Sequence, residues 1–180
     1  MTTATSTAFD IDQVHSSAEF AVKHMMIANV RGRFGQMQGR IHLDDEDPSR
    51  SSVVASIATE SVDTGVAMRD DDLRSENFFA AARFPEIRFQ STEVERLAPD
   101  RWRVEGDLTI RDITRSVVLD AEFEGRGLGM SGEERVGFTA QVTINRQDFG
   151  LTYNAVLETG SLVVGDKVRV TLHIEAVATN

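Results

Sequence analysis

Apolar and polar residues alternate along most of this chain, and this alternation limits the folds that it can adopt. In the cleanest segment, one face carries Trp102, Val104, Gly106, Leu108 and Ile110, while the intervening residues are charged or polar. Successive side chains of a β-strand point to opposite sides of a sheet, so the pattern predicts strands with one apolar and one wet face. About eight strands are predicted, near residues 18–26, 37–43, 53–58, 87–89, 102–111, 117–123, 138–144 and 168–176.

Turn-forming breaks separate the predicted strands. Residues 44–48, 98–100, 125–132 and 165–166 are rich in Gly, Pro or acidic residues, which is typical of hairpin connections. Strands with one polar face belong to antiparallel sheets that are solvated on one side. The predicted fold class is therefore all-β, with one antiparallel barrel or sandwich over residues 9–180 after a flexible N-terminus at residues 1–8.

Small residues on the predicted inward faces bear on the choice between a filled and a hollow interior. They are Ala18, Gly39, Ala55, Ser91, Gly106, Ala121 and Ala140. An eight-stranded barrel either fills its interior with side chains or leaves room for one small ligand. Small inward residues favour the second arrangement, whereas glycines alone equally fit strands that bend sharply at barrel corners. Both interpretations stay open on the residues alone.

The charge and the missing cysteines exclude several classes of partner and site. The 180 residues carry a formal net charge of −10, which argues against nucleic acid or an anionic membrane surface as the main partner. The chain has no cysteine, so disulfides and metal–thiolate sites are excluded. We expect a soluble cytoplasmic protein, because the first residues lack the features of a secretory signal and no apolar stretch is long enough to span a membrane. A periplasmic or secreted location would follow if a leader was removed and Met1 added.

The alternation fails between Val62 and Arg83, which predicts a helical insert. Asp63 or Thr64 would cap a helix that carries Asp70–Asp72 close to its N-terminus. A second short helix is predicted at residues 77–82, before a proline opens the next strand.

Two adjacent aromatic residues in the insert, Phe78 and Phe79, are candidates for contact with the barrel interior. They would line a cavity entrance if the insert is a cover, or belong to the core if it is a plug. A plug can also form one wall of a cavity, so the two interpretations are compatible.

The four histidines and the acidic runs supply few candidates for catalysis or metal binding. His42 and His173 fall on outward faces, and His15 lies in a turn where a structural hydrogen bond is expected. His24 shares the inward face of its strand, as a core residue or as the polar contact for a ligand. Asp70–Asp72 lacks the spacing of a calcium loop, and neither a metal site nor a catalytic constellation is predicted.

Six segments, in chain order, resemble the YceI family of polyisoprenoid-binding, lipocalin-like barrels. They are Phe9–Asp12 with Val14–Ser17; Phe20–His24 with Val30–Phe34; Asp71–Ser75 with Phe78–Phe79; Phe84–Phe89 with Ser91–Thr92; Gly106–Arg111 with Thr114; and Asn145–Gly150. The resemblance implies an extended eight-stranded antiparallel barrel with a short helical insert. It also implies an apolar tunnel for a polyprenyl lipid or an isoprenoid quinone, and dimers occur in the family.

The chain departs from the family pattern at two positions of the insert. Asp72 stands where the family often has His, and Ala80 stands where it often has Asp. A head-group contact made by that His would be changed or lost here.

Three functions are compatible with these observations. The first is storage, transport or sequestration of an isoprenoid lipid or quinone, without a further cofactor, nucleic-acid partner or stable membrane insertion. The predicted ligand-binding residues are Phe20, Val22, His24, Met26, Phe34, Met37, Phe78, Phe79, Phe89, Leu108, Ile110 and Phe149. The second is an enzyme for a lipophilic substrate with His24 or His15 as acid or base, and the third is a ligand-free interaction module.

Overall fold

The computed structural model describes residues 6–155 and 163–179. Its strands are β1 (Ser6–Ile11), β2 (Ser17–His24), β3 (Ala28–Phe34), β4 (Met37–Asp44), β5 (Ser52–Ala58), β6 (Val62–Asp63), β7 (Glu86–Ala98), β8 (Arg101–Ile110), β9 (Ile113–Leu128), β10 (Glu134–Asn145) and β11 (Val164–Ala178). One α-helix, α1 (Ala67–Arg74), and short 3-10 helices at Pro48–Arg50, Thr59–Ser61 and Arg146–Phe149 complete the described elements. None of the described helices is long and apolar enough to cross a membrane.

Eight antiparallel strands form a closed ring, which confirms the predicted barrel. The ring runs β1-β4-β5-β7-β8-β9-β10-β11 and closes where β11 pairs with β1. The strands β2, β3 and β6 continue from β11 beyond this ring. Because the ring is closed, its members have paired neighbours on both sides along the barrel, and the edge problem of an open sheet is removed.

The closure depends on β11, which is long enough to pair with two successive strands. Its last residues pair with β1, in the register Phe9↔Ala178, and its earlier residues pair with β2, in the register Ala18↔Leu172. The strands β1 and β2 thus act as one strand with a bend between them. Residues 6–8, assigned above to a flexible N-terminus, belong to β1 because their backbone pairs with β4.

Hydrogen bonds to Glu175 hold the bend between β1 and β2 against β11. The N–H of Asp12 donates to the carbonyl oxygen of Glu175 at 2.8 Å, and the N–H of Glu175 donates to Ser16 Oγ at 3.0 Å. Ser16 Oγ in turn donates to the carbonyl oxygen of Glu175 at 3.1 Å. Ser16 is buried, so its hydroxyl satisfies backbone groups that lose their strand partner at the bend.

The helical insert contains one helix instead of two. Helix α1 begins at Ala67 after Val66, so the predicted caps Asp63 and Thr64 are wrong. Residues 76–79 and 81–83 form turns, and the prediction of a second helix at residues 77–82 is also wrong. The physical reason is Ala80, whose φ of 48° lies in the left-handed region and interrupts a right-handed helix.

Asp70 holds the loop that precedes α1, although the sequence suggested that it would stabilise the helix N-terminus. Its Oδ1 accepts hydrogen bonds from the N–H of Thr64 at 2.8 Å and from Thr64 Oγ1 at 2.6 Å. Burial raises the pKa of Asp70, but the hydrogen bonds from Thr64 outweigh burial and hold that pKa below its usual range. The carboxylate is therefore a structural acceptor.

The alanines and the glycines among the small inward residues have different roles in the structure. The four alanines, Ala18, Ala55, Ala121 and Ala140, line the barrel cavity. The glycines instead allow close packing: a Cβ on Gly106 would lie 2.5 Å from the carbonyl oxygen of Gln90 and 2.5 Å from the ring of Phe89. The predicted interior space is thus associated with the alanines, and Gly106 makes room for an aromatic ring.

We expect Gly106→Ala to destabilise the barrel by about 1–3 kcal/mol, the usual cost of overpacking. The added methyl group meets backbone as well as the Phe89 ring, so movement of one side chain cannot relieve the contact. Gly127→Ala on β9 is the matched control, because nothing lies within 4 Å of its added Cβ. Urea unfolding of both variants measures the effect, and equal stability of the two would contradict this account.

Candidate functional site

A cavity of about 550 Å³ occupies the barrel interior. Its wall is built from alternate residues of the surrounding strands, with α1 and the turns after it at one end. On two neighbouring strands the lining residues are Phe138, Ala140, Val142 and Ile144 of β10 and Val164, Val168, Val170, Leu172 and Ile174 of β11. This volume lies within the range of small-molecule sites, roughly 300–1,000 Å³, and such sites are mostly apolar with a few placed polar groups.

Ten of the twelve predicted ligand-binding residues border this cavity. They are Phe20, Val22, His24, Phe34, Met37, Phe78, Phe79, Phe89, Leu108 and Ile110. Met26 does not, because β2 ends at His24 and the alternation of the strand does not extend into the turn, where Met26 is 60% exposed. Phe149 is fully buried in the core and follows the end of β10, so strand alternation does not place it on the cavity either. The interpretation that put these two side chains on the cavity wall is wrong.

Aromatic pairs form part of the wall at one end of the cavity. The rings of Phe34 and Phe79 pack edge to face with centroids 5.5 Å apart, and the rings of Phe78 and Tyr153 do so at 5.6 Å. Phe78 is buried, and Phe79 packs against the main core cluster. The insert is therefore a plug and a cavity wall at once, which is the combination that the sequence left open.

Some of the polar groups that border the cavity lie at the same end. His24 is the last residue of β2, and Arg69 and Asp72 lie on α1. The exposed residues His24 and Tyr153 mark the opening to solvent. Asp72 stands where a family His was expected, and its Oδ1 accepts a hydrogen bond from Asn77 Nδ2 at 2.9 Å.

The sequence profile of the YceI-like domain matches residues 9–176. The chain belongs to the YceI-like domain family. A UPF0312 protein of Staphylococcus epidermidis is 35% identical over 164 residues, which are 91% of this chain and 93% of that protein. Both findings agree with the family resemblance identified from the sequence segments.

Solved structures share the fold of this YceI-like domain. Burkholderia cenocepacia BcnA superposes with a TM-score of 0.80 at 21% identity, covering 92% of this chain and 98% of that chain. A polyisoprenoid-binding domain from Saccharophagus degradans, implicated in plant cell wall breakdown, superposes with a TM-score of 0.67 at 17% identity, covering 96% and 99%. At these identities the comparison shows the shared barrel alone.

One buried charge in the wall of the YceI-like barrel was missed by sequence reasoning. Arg146 is 3% exposed and borders the cavity. Its Nε donates to the carbonyl oxygen of Gly165 at 2.8 Å, and its Nη1 donates to those of Leu151 at 2.5 Å and Tyr153 at 2.9 Å. Burial lowers the pKa of Arg146, while the Asp166 carboxylate at 3.6 Å opposes that shift.

Arg146 therefore ties the segment after β10 to the start of β11 through backbone carbonyl groups. Its position in the Asn145–Gly150 segment, which resembles the family, was the available signal. The segment alone does not reveal that the guanidinium turns back to main-chain oxygens, because those acceptors carry no side-chain signature.

The sole tryptophan, Trp102, also borders the cavity. Its Nε1 is buried and has no hydrogen-bond partner among residues 6–155 and 163–179. The neighbouring wall positions Val104 and Val142 were detectable from strand alternation, because each shares the face of a predicted inward residue.

A second polar cluster lies at the bend between β1 and β2, away from the cavity wall. Asp12, His15 and Glu175 place one candidate ligand atom each within 4.8 Å of one another. Arg135 Nη1 already donates to Asp12 at 2.9 Å and to Glu175 at 2.7 Å, so a guanidinium occupies the position between the carboxylates. The arrangement is an ion-pair network that supports the bend.

His15 has the structural hydrogen bond that its turn position predicted. Its Nδ1 lies 2.9 Å from Asp12 Oδ2. The hydrogen bond to Asp12, with the negative charges of Asp12 and Glu175, raises the pKa of His15 above its usual value. Hydrogen bonds from His15 and Arg135 hold the pKa of Asp12 well below its usual range.

We expect the contribution of His15 to stability to depend on pH. A raised pKa in the folded state means that this contribution is fully present below the unfolded pKa of about 6.5 and is lost as pH rises through the folded value. The difference in unfolding free energy between the unmodified chain and His15→Gln should therefore be largest in mild acid and shrink in alkali. Urea unfolding at a series of pH values measures it, with the exposed His42→Gln as control. A difference that stays constant with pH would rule this out.

Proposed function

We propose that this YceI-like domain binds one isoprenoid lipid, a polyprenyl chain or an isoprenoid quinone, in the barrel cavity for storage, transport or sequestration. The observation that carries the proposal is a closed eight-stranded barrel around an apolar cavity of about 550 Å³. A barrel of this size holds one small ligand when side chains do not fill it.

The lining favours a hydrocarbon chain over a sugar or a nucleotide. The inward residues of β10 and β11 that border the cavity are all apolar. The charged residues that border the cavity are Glu19, Lys23, Arg69, Asp72, Arg88 and Arg146. Of these Arg146 is buried, and its donors are directed to main-chain carbonyl groups. Each buried CH2 group contributes about 0.8 kcal/mol, so a long chain can bind with few polar contacts.

The choice of an isoprenoid over another apolar chain is supported by a structural neighbour. The Saccharophagus degradans domain that shares the fold is a polyisoprenoid-binding domain. His24 and Asp72 at the cavity opening then supply polar atoms for a head group. A quinone carbonyl oxygen would accept a hydrogen bond from the His24 imidazole, whereas a polyprenyl hydroxyl could contact either residue.

Binding without catalysis is part of the proposal. Of the two histidines considered as acid or base, His15 does not border the cavity and is engaged with Asp12. The His24 side chain makes no hydrogen bond to any described residue, so within those residues no partner orients it as a general base. Conversion of a bound lipid that is lost in His24→Ala and kept in His173→Ala, a histidine that does not border the cavity, would overturn this part.

Native mass spectrometry of the purified protein, followed by organic extraction, tests the proposal directly. We expect an adduct of one defined mass per chain that is released as an isoprenoid lipid. Titration of lipid-free protein with an isoprenoid quinone should quench the fluorescence of Trp102, and a polyprenol should compete with the quinone. A protein that takes up neither ligand would overturn the proposal.

We expect Val142→Trp to abolish lipid loading while the barrel stays folded. Val142 points into the cavity from β10, and an indole there would occupy space that the lipid needs. Thr143→Trp is the matched control, because the adjacent residue is exposed and does not border the cavity. Native mass spectrometry measures loading and circular dichroism measures folding. Equal loading of two folded variants would contradict a site in the barrel.

A further inference from the structure

The tip of the β2–β3 hairpin exposes three consecutive apolar side chains. Met25, Met26 and Ile27 are 37%, 60% and 80% exposed. Exposed apolar groups that are contiguous, instead of scattered singly, mark interaction surfaces. The three residues are called the hairpin tip below.

The hairpin tip has a backbone conformation that disfavours its own residues. Met25 and Met26 have φ values of 51° and 62°, and the N–H of Ile27 donates to the carbonyl oxygen of His24 at 3.1 Å. This geometry is a type I′ turn, in which Asn-Gly is strongly preferred because both central residues need positive φ. Residues held in such strained conformations concentrate at functional sites. Methionine at both positions is therefore unfavourable for the turn and for solubility, which points to an external contact.

The hairpin tip stands at the opening of the cavity. His24, the residue before it, borders the cavity, and the N–H of Met25 donates to the carbonyl oxygen of Val163, which also borders the cavity, at 2.8 Å. On the other side of the opening, α1 contributes Arg69 and Asp72 to the cavity border and carries Met68, which is 79% exposed.

The outer face beside the hairpin tip is cationic, in contrast to the acidic chain as a whole. Four exposed basic residues lie beside the hairpin tip on three adjacent strands: Lys23 on β2, which also borders the cavity, Arg31 on β3, and Lys167 and Arg169 on β11. Arg31 and Arg169 are both register partners of Ala21, so they flank it on neighbouring strands. None of the four forms an ion pair with a carboxylate in the described part of the chain. Glu19, on the same face, lies farther from the tip and contacts His173 at 3.4 Å.

We propose that the hairpin tip docks on the surface of an anionic lipid bilayer, with the opening of the cavity facing the membrane. Apolar side chains enter the interface while neighbouring Lys and Arg residues contact lipid phosphates, the combination that holds peripheral proteins on membranes. Docking itself needs no bound cargo. The further consequence, that an isoprenoid chain passes between bilayer and cavity, rests on the proposed function.

The experiment is flotation of the purified full chain with phosphatidylcholine vesicles that contain or lack phosphatidylglycerol, and contain no isoprenoid. We expect binding to the anionic vesicles and weak binding to the neutral ones. Failure of the unmodified chain to float with anionic vesicles overturns the docking proposal whether or not native mass spectrometry finds a lipid. Loss of cargo binding with intact flotation would instead overturn only the proposed function.

The decisive variant is Met25→Asn with Met26→Gly, which keeps the turn and removes the apolar side chains. We expect a higher Tm than in the unmodified chain, because Asn-Gly fits a type I′ turn, together with a loss of vesicle binding of roughly tenfold for each methionine. Leu128→Ser with Met130→Ser is the matched control. Both residues are exposed apolar groups at the β9–β10 hairpin, which lies beside the end of β11, whereas the hairpin tip lies beside its start. Equal loss in the control, or unchanged flotation of the turn variant, would overturn the proposal.

Two further measurements distinguish docking on a membrane from docking on a second copy of the chain: the removal of single charges and the oligomeric state. Arg31→Gln and Arg169→Gln should each weaken binding to anionic vesicles by about fivefold, whereas Arg115→Gln on β9 should not. Light scattering reports the mass of each variant in solution. A dimer that dissociates in the turn variant while vesicle binding stays unchanged would assign the hairpin tip to a protein interface and overturn the membrane assignment.

Discussion

Pairing of one long strand with two successive partners is the interaction on which the barrel depends. β11 meets β1 and β2 along the same edge, and the hydrogen bonds between Ser16 and Glu175 satisfy the backbone where one partner gives way to the other. β1 also pairs with β4, and these two pairings of β1 complete the ring. The ion pairs of Arg135 reinforce the same position from β10.

Closure of the barrel also explains why its interior contains a cavity. The ring of eight strands sets the width of the barrel, and small inward residues such as Ala121 and Ala140, which are cross-strand partners, leave part of that width unfilled. The apolar side chains cannot collapse further because the strand ladders hold them apart. A cavity lined by the core itself follows.

Charge has to be considered locally in such a protein. The net charge of −10 argued against an anionic surface as the main partner, yet Lys23, Arg31 and Arg169 form a cationic face next to an apolar turn. At physiological salt, charges act over a Debye length of about 8 Å, so a local face can oppose the average. This contrast separates the proposed docking surface from the acidic remainder of the chain.

Local alternation was enough to predict the all-β class, seven of the eight ring strands and most of the cavity wall, because side-chain parity within a strand is a backbone property that sequence displays directly. It also predicted β2, and it missed β1, β3 and β6. It failed for Met26, which lies just past the end of β2, where parity no longer applies. Phe149, which belongs to the family-like segment Asn145–Gly150, lies in a 3-10 helix and packs in the core. Only the tertiary structure revealed the carbonyl acceptors of Arg146 and the grouping of the cations beside the hairpin tip. Those features join residues from separate strands, and their proximity arises from register and closure, which no single segment encodes.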